Sequence, residues 1–175
     1  MKKITMILAV LALTVGAATA QKKGTSDAKT FSVGLELGMP MGDFGDLAKL
    51  GIGGSVKYAK PMGDNGALTG TVGYSSFAGK DAASGATWSI LSFKAGYQFK
   101  MDGGLYVEPQ LGFGSLSTKI DLGGVSATAS SSGLLYAAGV GYVINNTIDL
   151  SARYESISIT GGSVSLVGIR VAYAF

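Results

Sequence analysis

The chain reads as all-β: an eight-stranded antiparallel up-and-down transmembrane β-barrel. Three observations predict this class. Beyond Ala20, apolar and polar residues alternate in eight segments, each close to the roughly 9–11 residues a tilted strand needs to cross a bilayer. The mean hydropathy is positive, yet no apolar stretch in that region reaches the roughly 17–25 residues of a spanning helix. Glycine supplies 28 residues, and each inside a helix costs about 1 kcal/mol relative to alanine. A bilayer accepts only helices or closed barrels, because every backbone polar group needs a partner there. A barrel follows.

The first element is an export signal over residues 1–20. Lys2 and Lys3 start it, an apolar run covers Ile4 to Val15, and Ala18-Thr19-Ala20 is a small-x-small cleavage site. Residues 21–30 form a polar lead, and residues 31–175 form the barrel domain. Phe31, Val33, Leu35, Leu37 and Met39 share one face of the first strand, with Ser32, Gly34, Glu36 and Gly38 on the other. The second strand (about 51–60) sets Ile52, Val56 and Tyr58 against Ser55 and Lys57, and the third (67–75) sets Leu68, Val72 and Tyr74 against Thr69 and Thr71. The fourth (87–99) carries Leu91, Phe93, Ala95, Tyr97 and Phe99 opposite Ser92, Lys94 and Gln98.

In the fifth (104–114), Leu105, Val107, Leu111 and Phe113 oppose Tyr106, Glu108 and Gln110. Pro109 there predicts a bulge, since proline cannot donate to a ladder. The sixth (133–144) aligns Leu134, Tyr136, Ala138, Val140 and Tyr142, with small residues expected between them. The seventh (147–156) sets Ile148, Leu150, Ala152 and Tyr154 against Asp149, Ser151, Arg153 and Glu155. The eighth ends the chain with Val167, Ile169, Val171, Tyr173 and Phe175 against Gly168 and Arg170.

The connections alternate in length. Pro61–Gly66, Lys100–Gly103 and Asn145-Asn146 are short and rich in turn residues. Segments 40–50, 76–86, 115–132 and 157–163 are generally longer. Short turns at one end and long loops at the other is the outer-membrane pattern. Aromatic residues collect near both strand ends: Phe31, Tyr58, Phe99, Tyr142, Tyr173 and Phe175 toward the turns, and Tyr74, Trp88, Phe113 and Tyr154 toward the loops. Such girdles sit where headgroups begin.

With these features the barrel resembles the small outer-membrane barrels of the OmpA transmembrane domain, OmpX and opacity-like porin type. The resemblance covers all of the chain after the polar lead. It implies residence in the outer membrane of a Gram-negative bacterium, with membrane lipid and the barrel-assembly machinery as partners. In that family the last strand is read during assembly through alternate hydrophobics and a terminal aromatic. Ile169, Val171, Tyr173 and Phe175 occupy those places here. No periplasmic cell-wall domain follows residue 175, so cell-wall anchoring is not expected.

Inside, Glu36, Lys57, Lys94, Glu108, Arg153, Glu155 and Arg170 fall on the polar face. Three carboxylates face four cations, an interior sum near +1. Glu36 and Arg170 should meet, because the first and last strands of a closed barrel are neighbours. Buried charges persist when paired and hydrogen-bonded, so the set reads as a structural network filling a narrow cylinder.

Chemistry finds little purchase. The chain has no histidine and no cysteine, which removes the usual near-neutral base and the thiolate ligands. No catalytic residue, cofactor site or metal site is assigned, and removal of Lys2 and Lys3 with the signal takes the net charge from +3 to +1, leaving no case for nucleic acid. Function is therefore expected in the long extracellular loops, as structural and surface-interaction work, adhesion or shielding, that contacts a cell-surface protein or host ligand. The alternation around Ile120, Leu122 and Val125 hints that strands five and six run past the membrane, where the segment is either solvated filler or a free edge that can recruit a foreign strand. Asp43–Leu50 could form a helical turn. A small pore, and a soluble ligand-carrying barrel, are the competing readings.

Overall fold

The computed structural model describes residues 30–80, 83, 85–122 and 125–175. The expected signal over 1–20 and nearly all of the lead over 21–30 lie outside the described residues. Eight strands close into one barrel in sequence order: β1 (Phe31–Met41), β2 (Gly51–Pro61), β3 (Gly66–Ala78), β4 (Ala86–Lys100), β5 (Leu105–Leu122), β6 (Val125–Ile144), β7 (Ile148–Ile159) and β8 (Gly162–Ala174). A short helix, α1 (Gly42–Leu47), sits between β1 and β2. All neighbours, including β8 and β1, are antiparallel.

Register defines the shape. Stepping from Phe31 through the partners Tyr58, Gly70, Ala95, Leu111, Tyr136, Ser156 and Ser165 returns to β1 at Met41. That is a shear of ten residues. With a rise of about 3.3 Å per residue and strands about 4.75 Å apart, eight strands then tilt by about 41°.

The alternation sorts residues as its period demands. Leu35 (74% exposed), Phe113 (67%) and Ile52 (66%) point outward, while Ser32, Ser55, Thr69 and Arg170 are buried inside. An outward apolar surface with an inward polar one is the inverse of a water-soluble barrel, whose core would have to be the charged side.

Two expected features differ. The β4–β5 ladder is interrupted beside Pro109, between the pairs Gly96↔Gln110 and Phe99↔Val107, but the register is the same on both sides. No residue is inserted, so there is a gap in hydrogen bonding rather than a bulge. Pro109 keeps its place opposite Ala138 of β6; the missing N–H is absorbed on the β4 side alone. The second difference is loop length. β5 and β6 stay paired up to Leu122↔Val125, and β7 and β8 up to Ile159↔Gly162. Alternation in the Ser/Thr/Ala-rich segment simply continues the hairpin.

The turns use the residues their backbones require. Asn145 and Asn146 both have positive φ, 50° and 54°, a region asparagine tolerates better than most side chains.

Candidate functional site: an ionic belt under an apolar plug

The barrel interior has three layers. The middle layer is built by β1, β2, β4, β5, β7 and β8, which each contribute a charged inward residue. Its upper half joins Arg153 Nη2 to Glu36 Oε2 at 2.5 Å, Arg153 Nε to Glu155 Oε2 at 3.0 Å, and Lys94 Nζ to Glu155 Oε2 at 2.6 Å. Its lower half joins Arg170 Nη1 and Lys57 Nζ to Asp149 Oδ2 at 3.0 and 3.1 Å, and Lys57 Nζ to Glu108 Oε2 at 3.2 Å. Each half holds two acids and two bases. Neutral hydrogen-bonding groups complete the shells: Thr69 and Gln110 donate to Glu108 Oε1, Tyr106 donates to Asp149 Oδ1, and Ser32 and Ser55 accept from Arg170.

All seven charges expected inside are there. Glu36 and Arg170 are direct partners across the β1–β8 seam, yet their charged atoms lie 3.9 Å apart. Arg153 takes Glu36, and Asp149 takes Arg170. The expected sum of +1 is corrected to zero, because Asp149 belongs to the belt. Its inward position on the seventh strand was legible from alternation; its partnership with Lys57 and Arg170 was not, since those strands lie far apart in sequence.

Above the belt, toward the loops, the lumen turns apolar. Phe77, Trp88, Ile90, Leu116, Leu135, Ile157, Val164 and Leu166 fill it, and Phe44 of α1 caps it. The Phe44 ring meets Phe77 and Trp88 edge-on, with centroids 5.4 and 5.9 Å apart. α1 is fastened to β3 and the chain after it: Lys80 Nζ donates to the Gly45 carbonyl, Lys80 N to Leu47 O, and Lys49 N to Ala78 O. Trp88 therefore does not belong to the outer girdle; it is 8% exposed and points inward. Leu135 likewise breaks the expected run of small inward residues in the sixth strand.

Below the belt, at the turn end, lies a vestibule of about 320 Å³ lined by Ser32, Lys57, Gln98, Lys100, Asn146 and Asp149 among others. The girdle on this side is in place: Phe31, Tyr58, Phe99, Tyr142 and Tyr173 are all exposed.

On the loop side, β5 and β6 outreach their neighbours. Pairing of β6 with β7 begins at Leu134↔Ser158, so among the described residues the β7-facing edge of residues 125–133 has no partner strand. Its outer face is a ladder of hydroxyls, Ser132 on Ser115 at 3.1 Å and Ser117 with Ser130 at 3.0 Å.

Solved structures share this architecture. The attachment invasion locus protein Ail of Yersinia pestis is 20% identical with a TM-score of 0.65, covering 83% of this chain and 97% of its own. Neisserial surface protein A matches at 19% identity and TM-score 0.63, over 83% and 97% of the two chains. The N-terminal β-barrel domain of Pseudomonas aeruginosa OprF matches at 17% identity and TM-score 0.60, over 82% and 97%. Identities this low speak to the fold. No curated protein matches the chain. A family model described as the outer membrane protein beta-barrel domain matches residues 7–175, and the chain thus belongs to that family, an eight-stranded barrel of the Gram-negative outer membrane.

Proposed function

We propose that this barrel is a structural and surface-interaction protein whose β5–β6 hairpin captures an extended segment of a cell-surface or host protein. The observation that carries the reading is the open edge of β6 over residues 125–133. Unpaired strand edges recruit foreign strands unless charge, proline or a bulge blunts them. Residues 125–133 hold no charged residue and no proline. The edge is left sticky.

Backbone pairing fits the hairpin better than capture of a highly charged ligand. Ail has been solved in complex with the heparin analogue sucrose octasulfate. Here residues 115–133 carry one lysine, Lys119, and one aspartate, Asp121, so a sulfated ligand would find little counter-charge. The absence of histidine and cysteine from the sequence supports binding rather than catalysis as the work of the surface. The belt and the plug, two successive fillings of a lumen already narrow at eight strands, support a closed barrel over a pore.

The test is deletion of residues 118–128. The shortened barrel should still assemble in the outer membrane, while binding of cells to surfaces or host proteins falls at least several-fold. Undiminished binding by the deletion strain would overturn the reading.

A further inference from the structure

Two buried polar atoms of the lumen, Thr71 Oγ1 of β3 and Gln110 Oε1 of β5, have no hydrogen-bond partner among the described residues, and both residues line one space. Thr71 is 4% exposed. The space they line has a volume of about 20 Å³, bounded also by Lys57, Tyr106, Arg153 and Arg170. One water needs roughly 10–15 Å³ and two to four polar partners. From this geometry we infer a single internal water site, shared by Thr71 and Gln110, as an integral part of the ionic belt.

The chemistry of the walls selects water over an ion. A cation would sit among Lys57, Arg153 and Arg170, all of which line the space. An anion would meet the Gln110 carbonyl oxygen, whose amide nitrogen is already committed to Glu108 at 2.8 Å. A neutral molecule that donates to Gln110 Oε1 and exchanges a hydrogen bond with the Thr71 hydroxyl satisfies both without adding charge to a belt that is already balanced. The third unpartnered atom, Glu36 Oε1, faces a separate space of about 10 Å³. That is the lower limit for a water, and Arg170 Nε already lies 3.9 Å from this oxygen. The Thr71–Gln110 site is the roomier of the two.

A source of water is near. Lys57 lines both this space and the turn-side vestibule, so the site adjoins the solvent-filled end of the barrel, whereas the upper belt and the apolar plug lie between it and the loop side.

The test is a crystal structure of the full chain at a resolution that shows ordered water, for wild type, Thr71→Ser and Thr71→Val. Density within hydrogen-bond reach of both Thr71 Oγ1 and Gln110 Oε1 is expected in wild type and Thr71→Ser, and its loss in Thr71→Val. Should Thr71→Val fail to fold, Gln110→Met serves the same comparison. A direct Thr71–Gln110 hydrogen bond with no water between them, or a peak unchanged when either partner is replaced, would overturn the assignment.

Discussion

Arg170 shows how a single residue can be both deeply placed and replaceable only at a cost. It is 2% exposed, its guanidinium meets Asp149 at 3.0 Å, and it donates to Ser32 and Ser55 at 2.9 Å each. Removing one partner of a buried pair leaves an uncompensated charge and typically costs about 3–5 kcal/mol. Arg170→Met should therefore lower the unfolding free energy by about that much in urea titrations of the barrel refolded into lipid vesicles. Adding Asp149→Asn should recover part of it, although Lys57 then keeps Glu108 as its one carboxylate partner. A double variant no better than the single one would show that the pair is not the coupled unit. Gly141 makes a second point at this scale. A Cβ there would overlap the Tyr106 ring, so Gly141→Ala should push Tyr106 away from Asp149 and cost about 1–3 kcal/mol by overpacking.

Among the elements, α1 is too short to be stable alone and depends on what it covers. Phe44 is its one buried residue, wedged against Phe77 and Trp88. Truncating a buried phenylalanine typically costs about 3–5 kcal/mol, and in Phe44→Ala that loss should fall on the lid before the barrel. Limited proteolysis should cut within residues 42–50 faster than in wild type, while the strands stay protected; equal cutting rates would mean the β3 tethers alone hold the helix. β8 carries a different expectation. Ile169, Val171 and Tyr173 are exposed in an outward row, and Phe175 closes the seam by donating its N–H to Phe31 O at 2.9 Å. We propose that Ile169, Val171, Tyr173 and Phe175 together act as the assembly signal. Deleting Phe175 should reduce the folded barrel in the outer membrane several-fold, with unassembled chain accumulating; normal levels would refute the role.

The whole molecule is a cylinder without a sheet edge through its membrane band, filled from the turn side upward by a vestibule, an electroneutral belt and an apolar plug. Closed ladders all round make such a barrel hard to open in mild detergent. Unboiled samples should migrate differently from boiled ones on gels, and identical mobility would count against a closed barrel. The two fillings also predict an electrically silent protein: planar bilayers containing wild type should show no conductance steps. Reproducible steps from pure protein would show that the plug moves.

The strand count, the two faces, the membrane setting and the inward placement of the belt charges were legible in the chain alone, because a period of two sorts side chains whatever the neighbouring strands are; only the membership of Asp149 in the network was missed. Glu36, Lys94 and Arg153 could be placed inside by counting. Their partners could not. Which acid meets which base depends on a shear of ten residues that brings positions 36 and 153, or 57 and 149, together across the lumen. The plug was hidden for a related reason: Trp88, Leu135 and Leu166 are apolar on the face reserved for polar groups. Only the closed lumen, lined by apolar side chains above the belt and capped by Phe44, makes burying them there favourable.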